Sequence, residues 1–218
     1  MANTVYFIRH GETFFNKYRR MQGWSDTPLT NKGWEDAAQA GQALAHLDFD
    51  YLFSSDLKRA VDTAKTILQN HPTNKIQKPI QEPAFREEFF GYFEGADDDQ
   101  SAIMVGAPEQ FINFREIIAK YGLPKMQDLI AERDPFHDAE NHDQFWQRLD
   151  PGFDRLRALP DGSVSVVVSH GMTISAIVNR FGNGDYSAAP LNGSITKLTL
   201  TNNSTTVDFY NQLKIPDK

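Results

Sequence analysis

The chain of 218 residues contains no cysteine. That absence excludes disulfides, thiolate metal sites and cysteine nucleophiles. Positive charge is also in short supply: 22 lysines and arginines against 29 aspartates and glutamates give a formal net charge of −7. There is therefore no general basic footprint for nucleic acid or anionic lipid, although a local cluster can still hold a small anion. Long hydrophobic runs are missing too, and residues 1–8 carry no basic leader. The expectation is a cytoplasmic protein without a membrane span. No internal repeat or low-complexity stretch is present.

A 40% hydrophobic content in a chain of this length builds one substantial core and is short for two full domains. Val5-Tyr6-Phe7-Ile8 is a short β-forming run that stops at Arg9-His10-Gly11. Thr30 can cap a helix running to about residue 47, with Trp34, Ala37, Ala38, Gly41, Leu44 and Ala45 on one face. Residues 51–54 form a second expected strand. Ser55 or Asp56 is the expected N-cap of a helix over 57–68 with Arg59 in its first turn. The most apolar strand, residues 164–168, implies burial on both faces and delivers Ser169-His170-Gly171 to a following helix. Residues 195–200 and 206–210 flank Asn202-Asn203 and suggest a hairpin at the sheet edge.

Strands alternating with helices predict an α/β, three-layer sandwich whose mostly parallel central sheet is flanked by helices. Ligands gather beyond the carboxyl ends of such strands, where His10, Arg59 and His170 all fall. Residues 1–218 are expected to form a single domain with a helical cap insertion at about 96–159. In that insertion Pro108 would open a helix carrying Phe111, Phe114, Ile118 and Tyr121, and Asp97-Asp98-Asp99 would be a solvated loop.

Arg9-His10-Gly11-Glu12-Thr13 with Asn16 resembles the signature of the histidine phosphatase superfamily, also called phosphoglycerate mutase-like. Further blocks agree in order and spacing: Gln22-Gly23-Trp24 with Asp26, Pro28-Leu29-Thr30 and Gly33, then Ser54-Ser55 with Arg59-Ala60 and Thr63-Ala64. Phe85-Arg86-Glu87 with Phe90-Gly91 and Glu94-Gly95, and later Ser169-His170-Gly171, complete the series. These blocks touch residues 5–95 and 164–178, a little under half of the chain. Asp56 departs from a common proline and Asp62 from a common glutamine.

Independently of resemblance, a neutral imidazole is a competent nucleophile toward phosphorus and its phosphoramidate is labile to water. His10 is the candidate nucleophile, with Arg9 and Arg59 as guanidinium clamps for the equatorial oxygens. The resemblance places His170 against the phosphate opposite the nucleophile and assigns the proton-transferring carboxyl to Glu87, with adjacent Glu88 the weaker choice. It further implies phosphate or substrate contacts at Asn16, Gln22, Gly23, Gly171 and Met172. Arg19 and Arg20 either reach an acidic substrate or lie on the surface, and Glu12 holds the loop.

His137 and His142, among Asp134, Asp138, Glu140 and Asp143, have metal-ligand residue types without a recognised spacing. No metal and no cofactor are expected. The implied activity is a phosphomonoesterase of the phosphatase branch, acting on a small phosphorylated metabolite, with neither nucleic acid nor membrane as partner. A cofactor-dependent phosphoglycerate mutase is the alternative, yet such mutases usually carry threonine at the position of Gln22 and asparagine at that of Met172. A non-catalytic phosphoester-binding scaffold is the third reading, although scaffolds typically lack the nucleophile or the acid.

Overall fold

Short apolar runs, buried along nearly their whole length, build the centre of the molecule. A computed structural model describes residues 2–72, 75–184 and 186–216. In chain order the elements are β1 (Asn3–Arg9), α1 (Phe14–Lys17), α2 (Asn31–Ala43), β2 (Tyr51–Ser54), α3 (Lys58–Asn70) and β3 (Ile80–Gln81). There follow two short 3-10 turns, Pro83–Phe85 and Gly91–Phe93, and three helices, α4 (Asp98–Gly106), α5 (Phe114–Arg133) and α6 (His142–Arg157). The chain closes with β4 (Val164–Ser169), α7 (Gly171–Phe181), β5 (Ile195–Leu200) and β6 (Thr205–Gln212).

The six strands form one sheet in the order β3-β2-β4-β1-β5-β6. β3, β2, β4 and β1 run parallel, whereas β5 pairs antiparallel with β1 and β6 antiparallel with β5. On one face Tyr6, Ile8, Leu52, Val166 and Val168 pack against Ala40 and Leu44 beside α2 and Ala60, Ala64 and Ile67 of α3. On the other face Val5, Phe7, Phe53 and Val167 pack against α6 and α7 through Phe153, Leu156, Ile174 and Ile177. Both faces of β1 and β4 are covered, which is why these strands are continuous apolar runs rather than alternating ones. The expected α/β sandwich with a mostly parallel sheet is the observed fold.

Several local expectations change. Leu57, not Ser55 or Asp56, occupies the N-cap position of α3 and offers no side-chain cap. Ser55 and Asp56 are instead engaged by His170 and Arg86. α2 is capped by Thr30 as expected, but it ends at Ala43 and its Trp34 is 43% exposed. Its buried stripe is Gly33, Ala37, Ala40 and Gly41, because the backbone of α2 must approach neighbouring chain where no large side chain fits. β3 carries two residues, too few to leave a pattern. The expected antiparallel hairpin at the sheet edge is present as β5 and β6, with β6 the outermost strand.

Within the segment expected to be inserted, Pro108 follows α4 and opens no helix; α5 starts at Phe114 behind Asn113, whose side chain accepts from the Glu116 amide. α5 breaks at Gly122 (φ 81°, ψ 162°), two residues before Pro124, a conformation only glycine adopts easily. Asp97-Asp98-Asp99 is not a loop. Asp97 caps α4 by accepting from the Asp99 and Gln100 amides, and Asp98 and Asp99 fill the first helical turn. α6 lies on the sheet, with Phe153 stacked on Phe7 at 6.0 Å, so α4 and α5 are the helices that reach over the carboxyl end of β1.

Candidate active site

His10 leaves the end of β1 with only 2% of its surface exposed. Its Nδ1 donates to the Gly11 carbonyl at 2.8 Å, which leaves Nε2 to accept from Arg59 Nε at 3.2 Å. The following turn presses on the start of α2: a Cβ at Gly11 would lie 2.1 Å from the Gly33 oxygen, so no other residue fits there. Glu12 holds this turn as expected, accepting the Thr30 hydroxyl at 2.7 Å. Burial, reinforced by the charges of Arg59 and Arg9, holds the His10 imidazole well below the usual 6.5. At neutral pH the ring is uncharged, and its Nε2 lone pair is held by Arg59 Nε.

Arg59 comes from the first turn of α3 and is 1% exposed. Besides Nε on His10, Nη1 donates to Ser25 O (2.9 Å) and Asp26 Oδ1 (3.2 Å), and Nη2 to Gln22 O (3.3 Å) and Gly23 O (2.6 Å). These carbonyls belong to a loop that is itself folded on one carboxylate. Glu94 accepts from the amides of Gly23 (3.2 Å), Trp24 (2.8 Å), Ser25 (2.9 Å) and Phe90 (3.1 Å). Gly23 is obligatory in this loop, since a Cβ would fall 2.2 Å from both Glu94 Oε1 and the Glu88 oxygen.

Arg9 is anchored by Nη1 on Pro190 O (2.7 Å), while its buried Nε has no partner. His170, fully buried at the end of β4, meets the Ser55 hydroxyl through Nε2 at 2.6 Å, and its buried Nδ1 is likewise unpartnered. The His10 and His170 rings are 5.2 Å apart at 60°. Burial and the Arg59 charge also hold His170 well below 6.5. Two buried groups without acceptors, beside a neutral imidazole, are what an incoming phosphoryl oxygen can satisfy.

Glu87 is 5% exposed and docks on the N-terminus of α7. Oε2 accepts from the Met172 amide (2.9 Å), and Oε1 from the Thr173 amide (2.8 Å), Thr173 Oγ1 (3.0 Å) and the Glu88 amide (3.1 Å). Its own carbonyl accepts from Trp24 Nε1 (2.9 Å) and Arg148 Nη2 (3.1 Å). Glu88 is fully buried and lies outside the cavity that Glu87 and His10 share. Glu88 Oε2 accepts from Gln127 Nε2 at 3.0 Å and Oε1 has no partner. Burial pushes the Glu88 carboxyl well above its usual 4.5.

A cavity of about 310 Å³ opens here, lined by Arg9, His10, Glu87, Gly171 and Met172, with Asn16 and Gln22 beside them. Arg59, His170 and Gly23 do not line it; they sit behind its floor, Gly23 serving through its carbonyl. The Gln22 side chain is occupied by Thr13 Oγ1 (2.5 Å) and Thr27 Oγ1 (3.0 Å). The Asn16 carbonyl accepts from the Thr13 amide and Asn192 Nδ2. Asn192 also donates to His10 O at 2.9 Å, a contact no sequence pattern announces. Arg19 and Arg20 are exposed at the mouth. His137 is exposed, and His142 Nδ1 hydrogen-bonds Gln127 Oε1 at 2.8 Å. Among the described residues no group of three or more histidine, cysteine or acidic side chains is placed to hold a metal ion.

Comparison with known proteins follows this geometry. The family model for the histidine phosphatase superfamily (branch 1) matches residues 5–213. A protein named probable phosphoglycerate mutase GpmB, from Erwinia tasmaniensis, is 30% identical over 175 residues, covering 80% of this chain and 73% of its own. The crystal structure of a phosphoglycerate mutase from Bacillus anthracis superposes with a TM-score of 0.87 at 32% identity, covering 97% of this chain and 94% of that one. A mycobacterial glucosyl-3-phosphoglycerate phosphatase, solved with VO3, superposes with a TM-score of 0.71 at 25% identity, covering 96% and 98%. Among the described residues no helix is long and apolar enough to cross a membrane.

The buried Glu88 carboxyl makes stability depend on pH in a defined direction. Its folded value lies above its unfolded 4.5, so the native state holds the proton more tightly, and stability falls as pH rises from about 4.5 toward the folded value. His10 and His170, depressed below 6.5, act oppositely, adding stability as pH rises toward 6.5. Glu88→Gln removes the first effect and keeps the second. Urea unfolding at several pH values should show the variant equal to wild type near pH 4 and more stable at pH 7–8. A difference independent of pH would mean that Glu88 is ionised in the folded protein.

Proposed function

Since the chain belongs to the histidine phosphatase superfamily, branch 1, we propose that it is a phosphomonoesterase that takes the phosphoryl group of a small ester onto His10 and then hydrolyses the phosphohistidine. The carrying observation is the buried His10, its imidazole held below its ordinary value and its Nδ1 fixed on the Gly11 carbonyl, lining the same cavity as Glu87. In this reading residues 1–218 act as one domain, with α4 and α5 as the cap over the site.

In the first step the Nε2 lone pair forms the N–P bond as the ester P–O bond breaks. Glu87 gives its proton to the departing alkoxide, so the alcohol leaves neutral. Arg9 Nε and His170 Nδ1, free of other partners, donate to equatorial oxygens, and Arg59 Nε passes its hydrogen bond from His10 Nε2 to the third as the N–P bond takes up that lone pair, so that all three meet the charge that spreads in the transition state. In the second step water attacks phosphorus, Glu87 takes its proton, the N–P bond breaks, and inorganic phosphate and neutral His10 are released. The proton lent by Glu87 is thus recovered within each turnover. Ser55 holds the ring of His170, and Glu94 holds the loop that grips Arg59.

A second reading, phosphoglycerate mutase, draws support from the names of the GpmB relative and the Bacillus anthracis structure. The hydrolase reading draws support from the phosphatase neighbour and from Gln22 and Met172, which resemble the phosphatase pattern. The two are separated by whether 2,3-bisphosphoglycerate unlocks efficient interconversion of 2- and 3-phosphoglycerate. The hydrolase releases phosphate and does not interconvert them.

His10→Ala should lower hydrolysis of para-nitrophenyl phosphate by on the order of 10³-fold or more, since positioning alone does not replace the covalent route. Quenched wild-type turnover should yield an acid-labile, base-stable phosphoenzyme; an acid-stable adduct would move the nucleophile to a hydroxyl. Glu87→Gln should slow single-turnover phosphorylation by an alkyl phosphate about 10²- to 10⁴-fold, and by the para-nitrophenyl ester much less, because only the alkoxide needs a proton to leave. Equal slowing of both esters would remove Glu87 from the acid role.

A further inference from the structure

Beyond the phosphate end the cavity changes character, and the change bears on which alcohol the proposed phosphomonoesterase releases. Met21, Phe90, Met126 and Ile130 line it at exposures of 0–6%, and half-buried Phe114 from the first turn of α5 completes the wall. The lining contains no lysine. Its two mouth arginines are already engaged: Arg19 with Asp99 at 2.6 Å, and Arg20 with the Gly95 carbonyl at 2.7 Å. Asp98 and Asp99 offset their two charges, and Asp98, half-buried and held above its usual range by burial, offers a second anion no attraction.

We propose, on the basis of that phosphomonoesterase reading, that the substrate is the monophosphate of an apolar alcohol, a single ring or short hydrocarbon chain, without a second phosphate or a carboxylate. The phosphate sits at Arg9 and His10, and the hydrocarbon lies along Phe90, Phe114, Met126 and Ile130. A glycerate in the same place leaves its hydroxyl facing an apolar wall and its carboxylate beside Asp98. The neutral polar side chains of the lining are mostly spoken for, Asn113 by Glu116, Gln22 by Thr13 and Thr27, and Asn16 by Thr13 and Asn192, which leaves Ser175, so both groups lose more solvation than they regain.

The test compares kcat/KM for 2-phenylethyl phosphate, glycerol 3-phosphate and 3-phosphoglycerate, all esters of alcohols that are poor leaving groups, so that the ratios reflect how the alcohol part is held. The phenylethyl ester should lead 3-phosphoglycerate by about 10- to 100-fold. Phe114→Ser should shrink that lead by about tenfold, and Asp98→Asn should shrink it from the other side by raising kcat/KM for 3-phosphoglycerate. The proposal is overturned if wild-type protein prefers 3-phosphoglycerate or treats the two alike, whatever the variants do. Trapping of phosphohistidine from para-nitrophenyl phosphate is measured in parallel. An adduct with the wrong preference sinks the substrate class alone, whereas no adduct sinks the phosphatase reading itself.

Discussion

A guanidinium taken out of water needs an acceptor for every N–H, or its burial is strongly unfavourable. Arg59 is 1% exposed, and five acceptors surround it: the His10 ring, three carbonyls of the loop at 22–25, and Asp26. Three carbonyls converge on one point only if the loop is tightly curled, which aims its amides the other way. Glu94 collects those amides. One buried cation thus dictates a loop, the loop requires a carboxylate, and Gly23 is required because the carboxylate comes so close. Burial, with the charge of this same cation added to it, holds the His10 imidazole below its ordinary value.

Glu87 is positioned on the opposite principle, a carboxyl group held by the N-terminal amides of α7 rather than by a counter-ion. β4 ends at Ser169, His170 follows and α7 starts at Gly171, so one strand-to-helix junction supplies both a buried imidazole and the seat of the Glu87 carboxyl. The segment carrying Glu87 is fixed from its other side by Trp24 and Arg148, both on its carbonyl. Trp24 is in turn covered by Arg86, whose guanidinium pairs with Asp56 through Nε (2.6 Å) and Nη2 (2.5 Å). Asp56, the departure from the usual proline, therefore has a partner of its own.

His10, Arg59 and His170 were legible because each ends a run or begins a helix whose hydrophobic spacing is strong, and parallel sheets present such ends on one edge. Glu87 is singled out by resemblance alone; composition does not separate it from Glu88, and only the fold shows that Glu87 lines the cavity with His10 while Glu88 is buried outside it. Glu94 was visible as part of a motif but without a role, because a carboxylate that binds backbone amides leaves no complementary residue type in the sequence. Asn192 lies 182 positions from the carbonyl it holds, and no local signal connects the two. The start of α5 is hidden in the sequence because Pro108 has the character of a helix opener, whereas the actual cap is Asn113, whose side chain accepts from the Glu116 amide. Trp34 was assigned inward on hydrophobicity, although glycine and alanine were needed where α2 approaches its neighbours.

The kink at Gly122 divides α5 into two short pieces, and the piece after it carries Met126 and Ile130 on the cavity side. His10 and His170 belong to strand ends and Arg59 to the first turn of a helix packed on the sheet. Side chains along this stretch of α5 can therefore change the cavity wall without displacing those three groups. Gln127 is the point where that independence stops. Its amide joins fully buried Glu88 on one side and half-buried His142 on the other, which ties this position to the segment bearing Glu87. Neighbouring positions on a single turn of helix thus answer to different constraints, Met126 to the space it borders and Gln127 to its two polar partners.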